Sequence, residues 1–264
     1  MIQKTSVLIS SALFFGFMAS AAVAQSTTVI QAPSSTLTSP SASLSFPGMF
    51  GVPSAVAPKG GTGFVGLTFV NPRGGNPGGG GDASVYAGYT IGNPVDSLSV
   101  TFGVSVTGTM PFADAGQFSV SASRLLRAGG TSATFIGASV SQLGTWGSGA
   151  IPDTKYSVYM SHLAGFQVSG VEVPVQLVVG YGNDNTRTGA PVGVVPQFEN
   201  GAFAGVGIGM TKNLSGSVSF TRNQVNTGVT VSVPNTSMGV SVGVLDATDN
   251  INRRQLSVSV GFGF

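Results

Sequence analysis

The last ten residues, Q-L-S-V-S-V-G-F-G-F, alternate between large apolar side chains and small or polar ones without a break. Successive side chains of a β-strand point to opposite faces. One face of this segment therefore carries Leu256, Val258, Val260, Phe262 and Phe264. The other face carries Gln, Ser and Gly. A period of two predicts a strand that has one apolar and one small-residue face.

The same alternation recurs after residue 60, in segments separated by Gly, Pro, Asn and Asp. Pro174 lies within one segment and lacks a ladder donor, so we expect a bulge there. Phe135 sits on an otherwise small face, and the facing of the segment around Tyr159 is ambiguous. Twelve strands are predicted, near residues 63–70, 83–91, 98–106, 118–122, 132–143, 155–166, 171–181, 206–210, 214–220, 229–233, 238–244 and 255–264.

The first 24 residues have the features of a secretory signal peptide. Lys4 gives a positive start, residues 7–18 are apolar, and Ala22-Val23-Ala24 is a small-residue cleavage motif. The apolar stretch is too short for a membrane-spanning helix, which needs about 18 or more residues. We therefore expect cleavage before Gln25 and export of the remaining chain.

Charge is unusually scarce. Only 8% of the residues are charged, 40 are Gly and none is Cys. Soluble surfaces usually carry about a quarter or more charged residues, so much of this surface is expected to face something other than water. The formal net charge of +2 gives no reason to expect a nucleic-acid partner. The absence of Cys excludes disulfides, thiol chemistry and thiolate metal sites.

The alternating carboxyl-terminal segment that ends in Phe264 resembles the closing strand of bacterial outer-membrane β-barrels. In that family the assembly machinery reads this strand as an insertion signal. The resemblance implies location in the cell outer membrane, contact with its lipid, and recognition by the barrel assembly machinery. It implies that the assembly signal comprises Leu256, Val258, Val260, Phe262 and Phe264.

Connection lengths agree with such a barrel. If Phe264 lies at the periplasmic end, the periplasmic connections are all short. The outward set then contains the long ones, residues 71–81, 144–154, 182–200 and 246–254, although the outward connection after strand nine is short. Short periplasmic turns and longer outer loops are typical of these barrels. We predict an all-β fold: one antiparallel transmembrane β-barrel of about 12 strands over residues 61–264.

Residues 25–60 are rich in Ser, Thr, Pro and Ala, and their Pro residues break regular elements. We expect a disordered periplasmic tail. The alternative is a plug that docks in the barrel, because Phe46, Met49, Phe50 and Val52 form a small apolar cluster.

Hydrocarbon offers no hydrogen-bond partner to an open strand edge, so a spanning sheet must close. Twelve tilted strands close with a backbone radius of roughly 12 Å. Short inward Ser, Gly and Thr side chains cannot fill that width. The lumen is therefore open to water, filled by the tail or a loop, or flattened.

A few polar and aromatic residues are candidates for sites in this barrel. Arg124, Glu172 and Gln176 are the candidate lumen or rim residues, although Arg124 can instead reach the lipid headgroups. Tyr89 and Tyr181 lie near strand ends, where interfacial aromatic girdles belong.

No motif in the chain predicts an enzyme. His162 is followed by Leu-Ala-Gly-Phe, whereas the twelve-strand outer-membrane phospholipases carry Ser and Asn there. We expect it in the lumen or at the rim. The Gly run at 78–81 lacks the Lys-Ser/Thr of a phosphate loop, and residues 183–185 do not fit a calcium loop. No catalytic residue, metal or cofactor is predicted.

The wide lumen lined by small residues favours a passive, weakly selective pore for small solutes. The main alternative is a structural or surface-interaction barrel with a blocked lumen and no transport role. The translocator barrel of a secretion system and a secreted fibre-forming β protein are further alternatives, and the carboxyl-terminal Phe argues against the fibre.

Overall fold

A computed structural model describes residues 47–58, 60–72, 80–109, 112–147, 154–187, 198–252 and 254–264, with the backbone alone at 107–109, 112–114, 184–187 and 198–199. The strands are β1 (Gly63–Asn71), β2 (Asp82–Gly92), β3 (Ser99–Thr109), β4 (Phe112–Gly129), β5 (Ser132–Gly147), β6 (Lys155–Val168), β7 (Val171–Arg187), β8 (Phe198–Gly209), β9 (Leu214–Thr221), β10 (Val225–Ser232), β11 (Met238–Leu245) and β12 (Gln255–Gly263). No helix in the described part of the chain is long and apolar enough to cross a membrane.

The twelve strands form one closed antiparallel barrel in which each strand pairs with its neighbours in sequence. β12 closes the ring on β1, and Leu67 lies opposite Val260 in this pairing. Strand pairs with substantial contact are all ring neighbours, so opposite walls of the described barrel do not collapse onto each other. The predicted fold is confirmed, and the flattened form is not observed.

The barrel has two different ends. The end that carries Gly63, Phe264 and the connections 93–98, 130–131, 169–170, 210–213 and 233–237 is called the turn end here. The opposite end carries the long connections 72–81, 148–154, 188–197 and 246–254 and the short connections 110–111 and 222–224, and is called the loop end. At the turn end, Ser169 and Gly170 have φ angles of 51° and 78° and join β6 to β7 in a two-residue turn. Two successive positive φ angles match the right-handed twist of a hairpin.

The two faces of the wall differ as the alternation predicts. Outward side chains are large, apolar and exposed, such as Leu67 at 45%, Phe102 at 49% and Phe262 at 47%. Inward side chains are small or polar and mostly buried, such as Ser161 and Ser219, both at 0%. A barrel of this kind covers its apolar outer surface with lipid.

Several strands extend beyond their predicted bounds, and the longest of them are β4, β5 and β7. The loops predicted from residues 144 and 182 are wrong at their starts, because β5 runs to Gly147 and β7 to Arg187. Trp146, expected in a loop, belongs to β5, and its ring lies 5.4 Å from that of Phe118. β4 already begins at Phe112. These strands exceed the roughly 9 to 11 residues that a membrane crossing needs, so they keep pairing past it.

The two irregularities expected on β6 and β7 are absent from the described ladders. On β6 the outward Tyr156, Val158 and Met160 are exposed, while Tyr159 is buried inside. The β6–β7 register passes through the Gly165–Pro174 pair without a shift, so the predicted bulge is wrong. The Pro174 ring lies against Gly209 of the neighbouring strand.

Candidate functional site

Residues 47–58, called the lumen segment below, lie inside the barrel. They contact inward residues of strands β4 to β11, among them Ser123 of β4, Ser161 of β6, Gly205 of β8 and Gly243 of β11. Such widely spaced strands can touch one short segment only across the lumen. This part of 25–60 is therefore the docked segment and not a free tail. Residues 1–46 and 59, including the predicted signal peptide, lie outside the described residues.

The lumen segment enters from the turn end and bends back. Gly60 lies against Gly92 at the turn end, and Ala55 packs near Gly137 at mid-height. Gly51 lies next to Ser219 and Asn226, which are near the end of β9 and the start of β10 towards the loop end. The residues that precede Gly51 in sequence lie closer to the turn end again, because Gly48 and Pro47 contact Gly207 near the end of β8. The segment is thus a re-entrant loop with its apex at Gly51.

Apolar side chains fix the segment to one side of the lumen. Met49, Val52 and Ala55 are buried in a cluster with inward residues of β5 to β8. Tyr159 and Phe203 belong to the same cluster, with ring centroids 6.4 Å apart. The wall residues of the cluster are Ala133, Phe135, Tyr159, Leu163, Val178 and Phe203. Burial of these side chains provides the main favourable term for docking.

Wall hydroxyl and amide groups satisfy the segment's backbone. The Ala55 amide donates to Ser161 Oγ at 2.8 Å, and Ser123 Oγ donates to the Ala55 carbonyl. At the apex, Ser219 Oγ donates to the Phe50 carbonyl at 2.7 Å. Further bonds run from the Phe50 amide to Ser217 Oγ at 3.1 Å and from Gln176 Nε2 to Ser54 Oγ. Buried backbone groups need such partners, because leaving one unpaired costs about 1–3 kcal/mol.

Inward glycines let the segment approach the wall closely. Gly228 and Gly243 are paired across β10 and β11, and the Phe50 ring lies over both. A Cβ at Gly243 would lie 2.5 Å from Phe50 Cζ. In the same way, a Cβ at Gly205 would lie 2.6 Å from Met49 Sδ. These positions have room for the segment only because they carry no side chain.

The apex is also connected to the loop that follows β11. Asn226 Nδ2 donates to Ser219 Oγ at 3.4 Å, and Asn226 Oδ1 accepts the Asp246 amide at 3.1 Å. The Asp246 carboxylate accepts the amides of Asn250 at 3.0 Å and Ile251 at 3.2 Å. Asn226 therefore lies between the lumen segment and residues 246–252 at the loop end.

The wall formed by β2, β3 and β4 has a different character. Many of its inward residues are only half-buried, although Tyr86, Thr90, Ser99 and Ser123 are buried like those around the segment. The half-buried set is Asp82, Ser84, Gly88, Thr101, Gly103, Ser105, Gln117, Ser119 and Ser121. Their small side chains leave space beside the segment on this side of the lumen.

The polar residues singled out from the sequence are not all in the lumen. Gln176 points inward and bonds the segment, and Glu172 also points inward, with Oε1 buried and unpaired among the described residues. Arg124 is exposed on the outward face opposite Ile136, so it does not line the lumen. The expected lumen or rim position of His162 is also wrong, because it faces outward, with Nδ1 2.9 Å from Thr134 Oγ1.

The aromatic and carboxyl-terminal residues lie on the outside. Tyr89 and Tyr181 are outward and about half exposed. Leu256, Val260 and Phe262 are exposed on the same face of β12, Val258 is half-buried there, and Phe264 is exposed at the turn end. Their proposed roles as girdle residues and assembly signal stay predictions.

Sequence reasoning missed the serines and the asparagine that hold the segment. Ser161, Ser217, Ser219 and Asn226 are indistinguishable in pattern from other inward small residues. One signal did exist in the sequence. An apolar cluster lies in an otherwise polar tail, and the barrel that follows has inward side chains too small to fill its lumen.

The chain matches no protein-family model and no curated protein. Among solved structures it is similar to the NanC porin, with a TM-score of 0.50 and 8% identity over 75% of this chain and 97% of NanC. It is also similar to the KdgM porin in complex with disordered oligogalacturonate, at 0.48 and 11% over 77% and 99%. Omp33 of Acinetobacter baumannii gives 0.47 and 11% over 77% and 97%. The likeness to NanC concerns the fold alone, and this chain shares the closed barrel fold of that porin.

Proposed function

We propose that the protein is a passive, weakly selective pore for small solutes in the outer membrane, with the turn end in the periplasm. The continuous outward face of exposed apolar residues supports a membrane location. The short connections of the turn end and the Phe264 terminus support the orientation.

The observation that carries the pore proposal is the difference between the two sides of the lumen. The segment fills the side formed by β5 to β11, where Ser161, Gln176 and Ser219 have no exposed surface. Inward residues at mid-height of β2 to β4, such as Gly103, Ser105 and Ser119, are only half-buried. A water-filled passage beside the segment accounts for this difference.

Weak selectivity follows from the charges near that passage. Its half-buried residues at mid-height are uncharged Ser, Thr, Gly and Gln. The described inward charges lie towards the ends of strands: Asp82 and Lys155 at the loop end and Glu172 at the turn end. Rings of one charge sign are what give a pore strong ion selectivity, so small polar solutes of either sign are expected to pass.

The alternative is a structural barrel that conducts nothing. The specific observation in its favour is the packed cluster of Met49, Val52 and Ala55 across the lumen. In that case the half-buried wall of β2 to β4 would enclose trapped water instead of a passage.

Conductance in a planar bilayer separates the two functions. We expect stable steps from the mature chain and a reversal potential close to zero in a KCl gradient. Ser105→Trp places a large side chain in the passage and should reduce the step to about half or less, because conduction depends on pore diameter. Val104→Trp is the matched control, since the neighbouring residue faces outward and should leave the step unchanged.

Folded protein is verified by heat-modifiable migration on a detergent gel. Absence of steps from folded mature protein, and also from a variant lacking residues 26–59, would contradict the pore and support the structural barrel.

A further inference from the structure

Asn226 makes the two hydrogen bonds that join the lumen segment to the loop end. It is 1% exposed, and both ends of its amide are used. Nδ2 donates to Ser219 Oγ, which in turn donates to the Phe50 carbonyl. Oδ1 accepts the backbone amide of Asp246, the first residue after β11.

The apex of the segment also rests sterically on this side chain. Gly51 has a φ of +85°, and a Cβ there would lie 2.7 Å from Asn226 Nδ2 and 2.8 Å from Asn226 Cβ. Such close approach means that Asn226 cannot swing towards the lumen while the apex is in place. Its orientation and the position of the apex therefore depend on each other.

The loop beyond Asp246 is organised by the same residue. Asp246 is fully buried, and its carboxylate accepts the amides of Asn250 and Ile251. Ala247 adds a bond from its amide to the Val225 carbonyl at 2.7 Å, directly beside Asn226. A shift of residues 246–252 therefore moves the Asp246 amide, which donates the hydrogen bond to Asn226 Oδ1.

We propose that the lumen segment is a gate and that Asn226 couples it to the loop of residues 246–252. This proposal rests on the pore function proposed above. If the loop moves, Asn226 loses its donor and must reorient, because a buried amide oxygen without a partner is unfavourable. Reorientation removes its bond to Ser219, weakens the hold on Phe50 and releases the apex. Whatever displaces the loop from outside thereby widens the pore beyond the passage beside the segment.

Release of the gate can be measured without conductance. The chain contains no Cys, so Val52→Cys introduces a single thiol of similar volume at a position that is 1% exposed in the docked segment. A polar maleimide added to folded protein in liposomes reacts with this thiol only when the segment leaves. The labelling rate therefore reports the open fraction.

The test is a double-mutant cycle in this background. Asp246→Asn loosens the loop and leaves the Asp246 backbone donor in place, while Asn226→Ala removes the coupling side chain. We expect each change alone to raise the labelling rate about tenfold, the effect of one or two hydrogen bonds. The double variant should label no faster than Asn226→Ala alone, because the loop acts through Asn226.

A second variant keeps the proposal testable if Asn226→Ala fails to fold. Ser219→Ala removes the hydroxyl between Asn226 and Phe50, and it should also abolish the effect of Asp246→Asn. Thr68→Val is the control: it removes a similar inward hydroxyl bond, 2.8 Å to Ser259, on β1, and should leave the rate unchanged.

Multiplying effects in the double variant, or no effect of Asp246→Asn, would overturn the coupling. Conductance of the same proteins without the introduced thiol answers a separate question. Lack of conductance in every variant would overturn the pore function, whereas the labelling cycle would still decide the coupling.

Discussion

At the scale of single residues, many glycines of the lumen wall have a large side chain lying over them. Phe50 lies over Gly228 and Gly243, and the Tyr86 ring lies over Gly66 of the adjacent strand. A glycine in a strand lacks packing of its own, and an aromatic ring placed across it restores that packing. The small inward face is thus complementary to bulky groups that come from the segment or from a neighbouring strand.

Gly51 is the residue at which this complementarity is most sensitive. Gly51→Ala requires a side chain at a φ of +85° and 2.7 Å from both Asn226 Nδ2 and Ser219 Oγ. A left-handed Ala costs roughly 1–2 kcal/mol from the backbone alone, before any crowding. We expect the apex to be displaced and the hydrogen-exchange protection of the Ala55 amide to fall by at least about tenfold.

Gly61→Ala is the matched control for this prediction. Gly61 also has a positive φ, +87°, but a Cβ there would meet no atom within 4 Å. Gly61→Ala therefore introduces the backbone strain without the crowding. Its effect on the hydrogen-exchange protection of the Ala55 amide should be clearly smaller. Equal losses of protection in the two variants would show that crowding at the apex is unimportant.

At the scale of elements, the strands were predictable, whereas docking of the lumen segment was predicted only as the alternative to a free tail. Each strand repeats its pattern over several residues, as Leu256, Val260 and Phe262 do, so errors at one position do not hide the strand. The ends of β5 and β7 were missed because the pairing continues where the apolar face stops. There the strands are paired by backbone hydrogen bonds, which do not require an alternating pattern of residue types.

The lumen segment has no period that a sequence could reveal. It is held by isolated contacts with residues far away in the chain, such as Ser219 with Phe50 and Ser161 with Ala55. Each of these partners belongs to a different strand, and each is one Ser among many. Its apolar residues predict docking, but which inward positions receive them depends on the closed barrel.

The ladder between β12 and β1 closes the ring, and Phe264, the residue after β12, adds one more backbone pair to it. The Phe264 amide donates to the Gly63 carbonyl at 2.9 Å, and the Gly63 amide donates to the Phe264 carbonyl at 2.8 Å. The Phe264 ring stacks on Phe262 with centroids 6.3 Å apart. Deletion of Phe264 removes this pair, and we expect the free energy of unfolding in detergent to fall by about 1–3 kcal/mol.

Phe264→Leu distinguishes the role of Phe264 in barrel closure from its proposed role in recognition by the assembly machinery. It keeps both backbone bonds and an apolar side chain, so it should refold in detergent as well as the native chain. Poor insertion in cells despite normal refolding would identify the ring as the feature that the assembly machinery reads. If the deletion variant matches the native chain in detergent, the terminal pair does not stabilise the barrel.

At the scale of the whole molecule, the barrel and the segment inside it form two bodies joined through the chain near Gly60 and Gly61. The barrel is held by a continuous ladder of backbone bonds between neighbouring strands. The segment is held by side-chain packing and a few hydroxyl bonds. Elements with few bonds open at lower free energy than a closed ladder, so the segment is expected to leave the lumen without unfolding the barrel.

A reversible tether between the two bodies tests this difference directly. Ser54 Oγ of the segment and Ser161 Oγ of β6 are 3.4 Å apart, and Ser→Cys is nearly isosteric. The double variant Ser54→Cys/Ser161→Cys can therefore form a disulfide across this contact after small side-chain rotations. Oxidation should hold the segment in place and leave only the passage beside β2 to β4. Reduction should restore larger or more frequent conductance steps.

The chain also offers a control disulfide in the same lumen. Ser139 Oγ of β5 and Ser157 Oγ of β6 are 2.8 Å apart on the wall itself. Ser139→Cys/Ser157→Cys joins two strands that are already paired, so its oxidation should leave the conductance steps unchanged. If the segment tether behaves like this wall tether, release of the segment does not control the pore. If the steps respond to the segment tether alone, the barrel is the fixed wall and residues 47–58 are its moving part.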